Sequence, residues 1–164
     1  MLDEWRIEPG KTSRSLCPVE TVHAHFAALL LEETFEQELL ALGIGKLRFR
    51  HRKEVVASLR ALHVALWRLA LIRSFPNEYE TIFSLFLESL QERSGASRIL
   101  PEIPEQEIRD HVERLQCHGA NDFTDVAAYL VSRFKPGKPD DAAARLRLIL
   151  LIRRAYTNIF DHLI

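Results

Sequence analysis

Cysteine is almost missing from this sequence: Cys17 and Cys117 are the only two, and a hundred residues separate them. No disulfide framework can be built from them, which suits a reducing compartment and leads to the expectation of a cytoplasmic protein. A secretory signal is missing as well, because Met1-Leu2-Asp3-Glu4-Trp5-Arg6 has no basic start followed by an apolar run. Long hydrophobic runs are rare. The run Leu148-Ile149-Leu150-Leu151-Ile152 is far too short to cross a bilayer and has arginines close by, so no membrane contact is expected. Charge of one sign is not in excess either: a formal net charge of −1 gives no global pull toward nucleic acid or lipid. The motifs of common enzymes are also absent. There is no glycine-rich phosphate loop, no nucleophile elbow and no His-Glu-x-x-His pair, and no cofactor is expected. No repeat of fixed period and no low-complexity stretch occurs.

What is present is enough apolar residue, 47% of 164, to build one domain with a real core. An arm is expected over 1–16, where Pro9, Gly10, Lys11, Thr12 and Ser13 cluster, followed by a single helical domain over 17–164. Apolar periodicity predicts an all-α bundle of five to six helices, with long helices first, second and sixth at the centre. The first helix is expected over about 18–42, stopped by Gly43, with two apolar faces. One holds Val19, Val22, Phe26, Leu29 and Leu30; the other holds Ala24, Ala28, Leu31, Phe35, Leu39 and Leu42. The second helix, over about 53–75, repeats Val55, Leu59, Leu62, Leu66 and Leu69 at spacings of four and three. Pro76 ends it, and Asn77 with Glu80 has capping-box spacing for the third helix. A short fourth helix over about 104–117 points Ile108, Val112 and Leu115 inward. Asn121 or Asp122 caps a fifth that buries Phe123, Val126, Ala127, Leu130, Val131 and Phe134. After the break at 135–139 a sixth starts near Asp140.

Charge runs in blocks. Residues 1–45 carry a net of −5, 46–75 a net of +7, 76–130 a net of −7 and 131–164 a net of +4. Such blocks order neighbouring helices against one another, or offer a basic surface to an acidic partner. The densest basic segment is Lys46-Leu47-Arg48-Phe49-Arg50-His51-Arg52-Lys53. In an extended conformation its long cations would line one side, with Phe49 free to stack or anchor. Lys46, Arg48, Phe49, Arg50, Arg52 and Lys53 are therefore the candidate anion or nucleic-acid contacts. The plainer reading is that these cations answer Glu32, Glu33, Glu36 and Glu38.

Two further constellations are candidates. Glu20 and His23 have the Glu-x-x-His spacing of di-metal bundles, but the spacing occurs once where that chemistry needs it twice, so no metal site is expected. If the first two helices form an antiparallel hairpin, Glu33 falls at the level of His63, and a carboxylate beside an imidazole is either an acid–base pair or a core pair that fixes register. Cys117-His118 offers two metal ligands where a site needs more. Three functions follow, in this order: a non-catalytic interaction, scaffold or regulatory accessory protein, pairing with a protein partner or as a homodimer; a nucleic-acid- or polyanion-binding accessory protein using 46–53; and a metal-binding or acid–base enzyme using Glu and His side chains.

Overall fold

A computed structural model describes residues 18–96, 103–116, 122–135, 137–138, 140–141 and 142–163. The arm expected over 1–16, Cys17, residues 97–102, the Cys117-His118 pair and the Asn121 cap lie outside them. The fold is all-α. Seven helices follow in order among the described residues: α1 (Pro18–Glu32), α2 (Glu36–Ala41), α3 (Phe49–Ser74), α4 (Tyr79–Ala96), α5 (Glu105–Gln116), α6 (Thr124–Phe134) and α7 (Ala142–Asp161).

α3 is the axis of the bundle. Every residue from Ala61 to Trp67 is buried, so this stretch is enclosed on all sides, as an all-round apolar helix must be. It packs most extensively on α5, then on α7, α4 and α1. The same helix is long and apolar enough to cross a bilayer, but 67% of its most apolar window is covered by its neighbours. Its apolarity is thus accounted for by the core. The helix starts four residues earlier than the seam suggests, with Arg52 N–H donating to the Arg48 carbonyl at 2.8 Å. It stops before Phe75, which leaves helical geometry (φ −136°, ψ 65°) because Pro76 clashes with a helical predecessor.

The expected single first helix is two helices. The chain leaves helical geometry at Glu33, Thr34 and Phe35, and Phe35 takes a left-handed conformation (φ 56°, ψ 22°). The two apolar faces explain why. On α1 only one face is covered: Phe26, Ala27 and Leu30 are buried, whereas Ala24, Ala28 and Leu31 are exposed. The break rotates the second face inward, so that Phe35, Leu39 and Leu42 reach the core. A left-handed non-glycine residue costs on the order of 1–3 kcal/mol, and burying the Phe35 ring offsets it. No glycine or proline marks the break.

α2 closes as the sequence indicates. Gly43 (φ 70°) donates to the Leu40 carbonyl at 3.0 Å, and Ile44 to the Leu39 carbonyl at 2.9 Å. This is a Schellman closure, in which a left-handed residue satisfies the last carbonyls and Ile44 packs back on the helix.

α1 is less central than expected. It meets α3 and α4 through an aromatic cluster, with Phe26 stacked on Trp67 at 4.6 Å and edge-on to Phe86 at 5.2 Å. The Asn77–Glu80 capping box does not form; the Tyr79 hydroxyl donates to Glu80 at 3.0 Å instead. On α5, His111 takes an inward position beside Ile108 and Leu115, while Val112 is half-buried. α6 buries the expected set. α7 begins directly after a side-chain cap: Asp141 accepts from the Ala144 N–H at 3.0 Å and pairs with Lys135 at 2.7 Å.

Candidate functional site

A cleft of about 950 Å³ lies between the α1–α2 break and α7. Its floor is apolar: Phe26, Leu30, Phe35, Leu151 and Ile159, with His63 of α3 among them. Its two walls carry opposite charge. Glu32, Glu33, Glu36 and Glu38 stand on one side, and Arg153 and Arg154 with the single acid Asp161 on the other. The break at Phe35 is what opens it, since an uninterrupted helix would carry the acidic residues past α7 rather than around the floor.

The electrostatics follow burial. His63 is buried, meets Phe35 edge-on at 4.9 Å, and has no hydrogen-bond partner among the described residues. Desolvation pushes its pKa down to about 4, so the ring is neutral at physiological pH. Burial raises the Glu38 carboxyl; its own backbone amide opposes the rise, and the negative charge of Glu33 adds to it.

Glu33 and His63 thus line one cleft, but no hydrogen bond or ion pair joins them. Glu33 is exposed at the rim. At the level of His63 the chain presents Phe35 instead, because the three-residue break shifts the register of the expected hairpin. The basic segment is not extended. Lys46 and Leu47 form a turn, Arg48 precedes α3, and Phe49, Arg50, Arg52 and Lys53 lie in its first turn. Arg52 folds back onto Glu36, one of the acidic groups expected to answer it. His51 docks on α6, donating to the Phe134 carbonyl at 3.2 Å. Lys46, Arg48, Arg50 and Lys53 stay exposed and pair with no acid among the described residues.

Glu20 is exposed, and His23 Nε2 donates to the Ile82 carbonyl at 2.8 Å, tying α1 to α4. Among the described residues no group of three or more His, Cys, Asp or Glu side chains is arranged to hold a metal ion.

A polar cluster between α3, α5 and α6 was not legible in the sequence. Ser58 Oγ and His111 Nε2 share a hydrogen bond of 3.2 Å in the core. Glu107, one turn before His111, pairs with Arg133 at 3.0 Å; Arg133 also donates to the Tyr129 hydroxyl at 2.9 Å, and Arg114 lies 3.9 Å over the Tyr129 ring. Serine, histidine and carboxylate recur in nucleophilic catalysis, but Ser58 is fully buried, so no substrate reaches its hydroxyl. The cluster locks three helices together.

The outer face of α7 was anticipated only as an apolar surplus. Leu146 and Leu150, one turn apart, are 59% and 56% exposed, while Leu148 and Ile152 on the opposite side are buried. Ala143, Arg147, Arg153, Arg154 and Thr157 complete that face, and no acidic residue occurs from 142 to 160. Comparison of the chain with protein-family models, with curated proteins and with solved structures finds no match.

Proposed function

We propose that this is a non-catalytic helical interaction protein that works paired with a second copy of itself through the outer face of α7. The observation that carries the reading is the exposure of Leu146 and Leu150 on a basic helix face that borders an acidic wall. Large aliphatic side chains in solvent, rimmed by charge, mark contact surfaces. Here one chain holds both halves of the match. In a twofold pair the leucines form the seam, and Arg147, Arg153 and Arg154 of one copy face Glu32, Glu33 and Glu36 of the other. The acid–base alternative is supported by Glu33 and His63 lining one cleft, but His63 is a weak base at neutral pH and no hydrogen bond among the described residues orients its ring.

Light scattering during size-exclusion chromatography tests the proposal. The expected mass is twice the 18.9 kDa of the chain. Leu146→Glu with Leu150→Glu should return the single-chain mass with helical circular dichroism unchanged. A wild-type protein that stays at the single-chain mass across the concentration range would sink the reading.

A further inference from the structure

A second exposed apolar surface lies at the connection between α2 and α3. Leu47 is 89% exposed and Phe49 75%, and Leu40, at the end of α2 where the same connection begins, is 75% exposed. Around them stand Lys46, Arg48, Arg50 and Lys53, exposed and unpaired among the described residues. No acidic residue occurs from 39 to 53. The positive end of α3, 26 residues long, emerges at the same point, and Arg48 contributes no side-chain cap to its free N–H groups. Cations at a helix N-terminus oppose the helix dipole, so folding alone gives no reason for them there. The tip is nonetheless held firmly. Gly43 and Ile44 close α2, His51 is bonded to α6, and Arg52 is bonded to α2.

We infer that this tip, from Leu40 to Lys53, docks the protein on an anionic lipid surface. Leu47 and Phe49 enter the acyl boundary, while Lys46, Arg48, Arg50 and Lys53 meet the headgroups. Each half of the surface has a match in such a membrane: apolar side chains gain from leaving water, and each cation near an anionic leaflet contributes roughly a fivefold gain in partitioning. Surface docking needs no spanning segment, so the lack of a long apolar run does not bear on it. Two other occupants fit less well. A nucleic acid would use the cations and the Phe49 ring, but it gains nothing from Leu40 and Leu47, which cannot stack on bases. A second copy meeting tip to tip would set four cations against four.

Flotation with lipid vesicles tests this, using phosphatidylcholine alone and phosphatidylcholine with roughly 30 mol % phosphatidylserine, a strongly anionic surface. Three proteins are compared: wild type, Leu47→Ser with Phe49→Ser, and Arg48→Gln with Arg50→Gln. All changed side chains are exposed, and circular dichroism melting checks that each variant folds. Wild type should float with the anionic vesicles and not with phosphatidylcholine alone. The arginine pair should weaken binding roughly 25-fold, from two losses of about fivefold, and the apolar pair by at least about 30-fold. Raising salt from about 0.1 M to about 0.5 M should weaken wild-type binding. The inference fails if wild type does not bind the anionic vesicles. It also fails if the apolar pair leaves binding intact and single-stranded RNA competes for it, which would make the tip a polyanion site.

Discussion

Two buried histidines should make this bundle acid-sensitive well above the range where carboxylates titrate. His63, on the floor of the cleft, and His111, in the polar cluster, both have pKa values pushed down to about 4, in each case first by burial. At His111 the charge of Glu107 acts against the shift, and Arg114 and Arg133 act with it. In the unfolded chain both rings return to about 6.5. Between those values the unfolded chain binds protons that the folded one refuses, so stability is intact above about pH 6.5 and is lost as pH falls toward 4. From about pH 7.5 to about pH 5 each ring removes about 2 kcal/mol, or about 4 kcal/mol for the pair, out of the 5–15 kcal/mol typical of a domain. Glu38, whose carboxyl is raised by burial, works in the opposite direction and trims that loss. Asp141, held down to about 2 chiefly by Lys135, enters only below the window. Urea unfolding monitored at pH 7.5, 6 and 5 measures the slope. His63→Leu is the sharpest control, because the ring has no hydrogen bond to lose. That variant should hold its stability at pH 7.5 to within about 1.5 kcal/mol and lose roughly half of the acid slope. A flat profile in wild type, or an undiminished slope in His63→Leu, would refute the argument.

Other perturbations bear on the architecture. Phe35→Ala removes a buried ring while keeping a left-handed non-glycine residue, and should cost about 3–5 kcal/mol in chemical unfolding. Asp141→Ala removes the cap of α7 and the partner of Lys135, and should lower Tm by roughly 2–4 °C in calorimetry.

The helices were legible wherever one apolar stripe ran along one helix. α6 buries the set that its periodicity names, Gly43 stops α2, and α7 starts within two residues of Asp140. Reading failed where two helices shared an unbroken pattern. From Pro18 to Leu42 no glycine or proline interrupts the stripe, and the signal of the break was the presence of two apolar faces too far apart for one helix. That failure carried into the site, because the expected Glu33–His63 level assumed a straight first helix. The basic segment failed for a related reason. Alternation over 46–53 suggests a strand, yet Phe49, Arg52 and Lys53 suit a first helical turn equally well, and the long helix behind them decides the matter. The Ser58–His111 pair was invisible because its two residues are 53 apart, and only the packing of α5 on α3 joins them.

The places where local rules and the fold disagree fall close to the surfaces argued for here. A sequence selected for folding alone has no use for a left-handed phenylalanine, for leucines in solvent on a basic helix, or for cations at the positive end of its longest helix. Phe35 shapes the floor of the cleft, Leu150 borders it one turn from Leu146, and Lys46, Arg48, Arg50 and Lys53 stand beside Leu47 and Phe49. By contrast Ser58 and His111, which break the rule against buried polar groups, are enclosed and bonded to each other across α3 and α5, as a device of folding should be. Accessibility separates the two kinds of exception. Exceptions that reach solvent concern what the protein touches, and those sealed in the core concern how it holds its shape. Substitutions at Leu47 should therefore change association while sparing Tm, and Ser58→Ala should do the reverse.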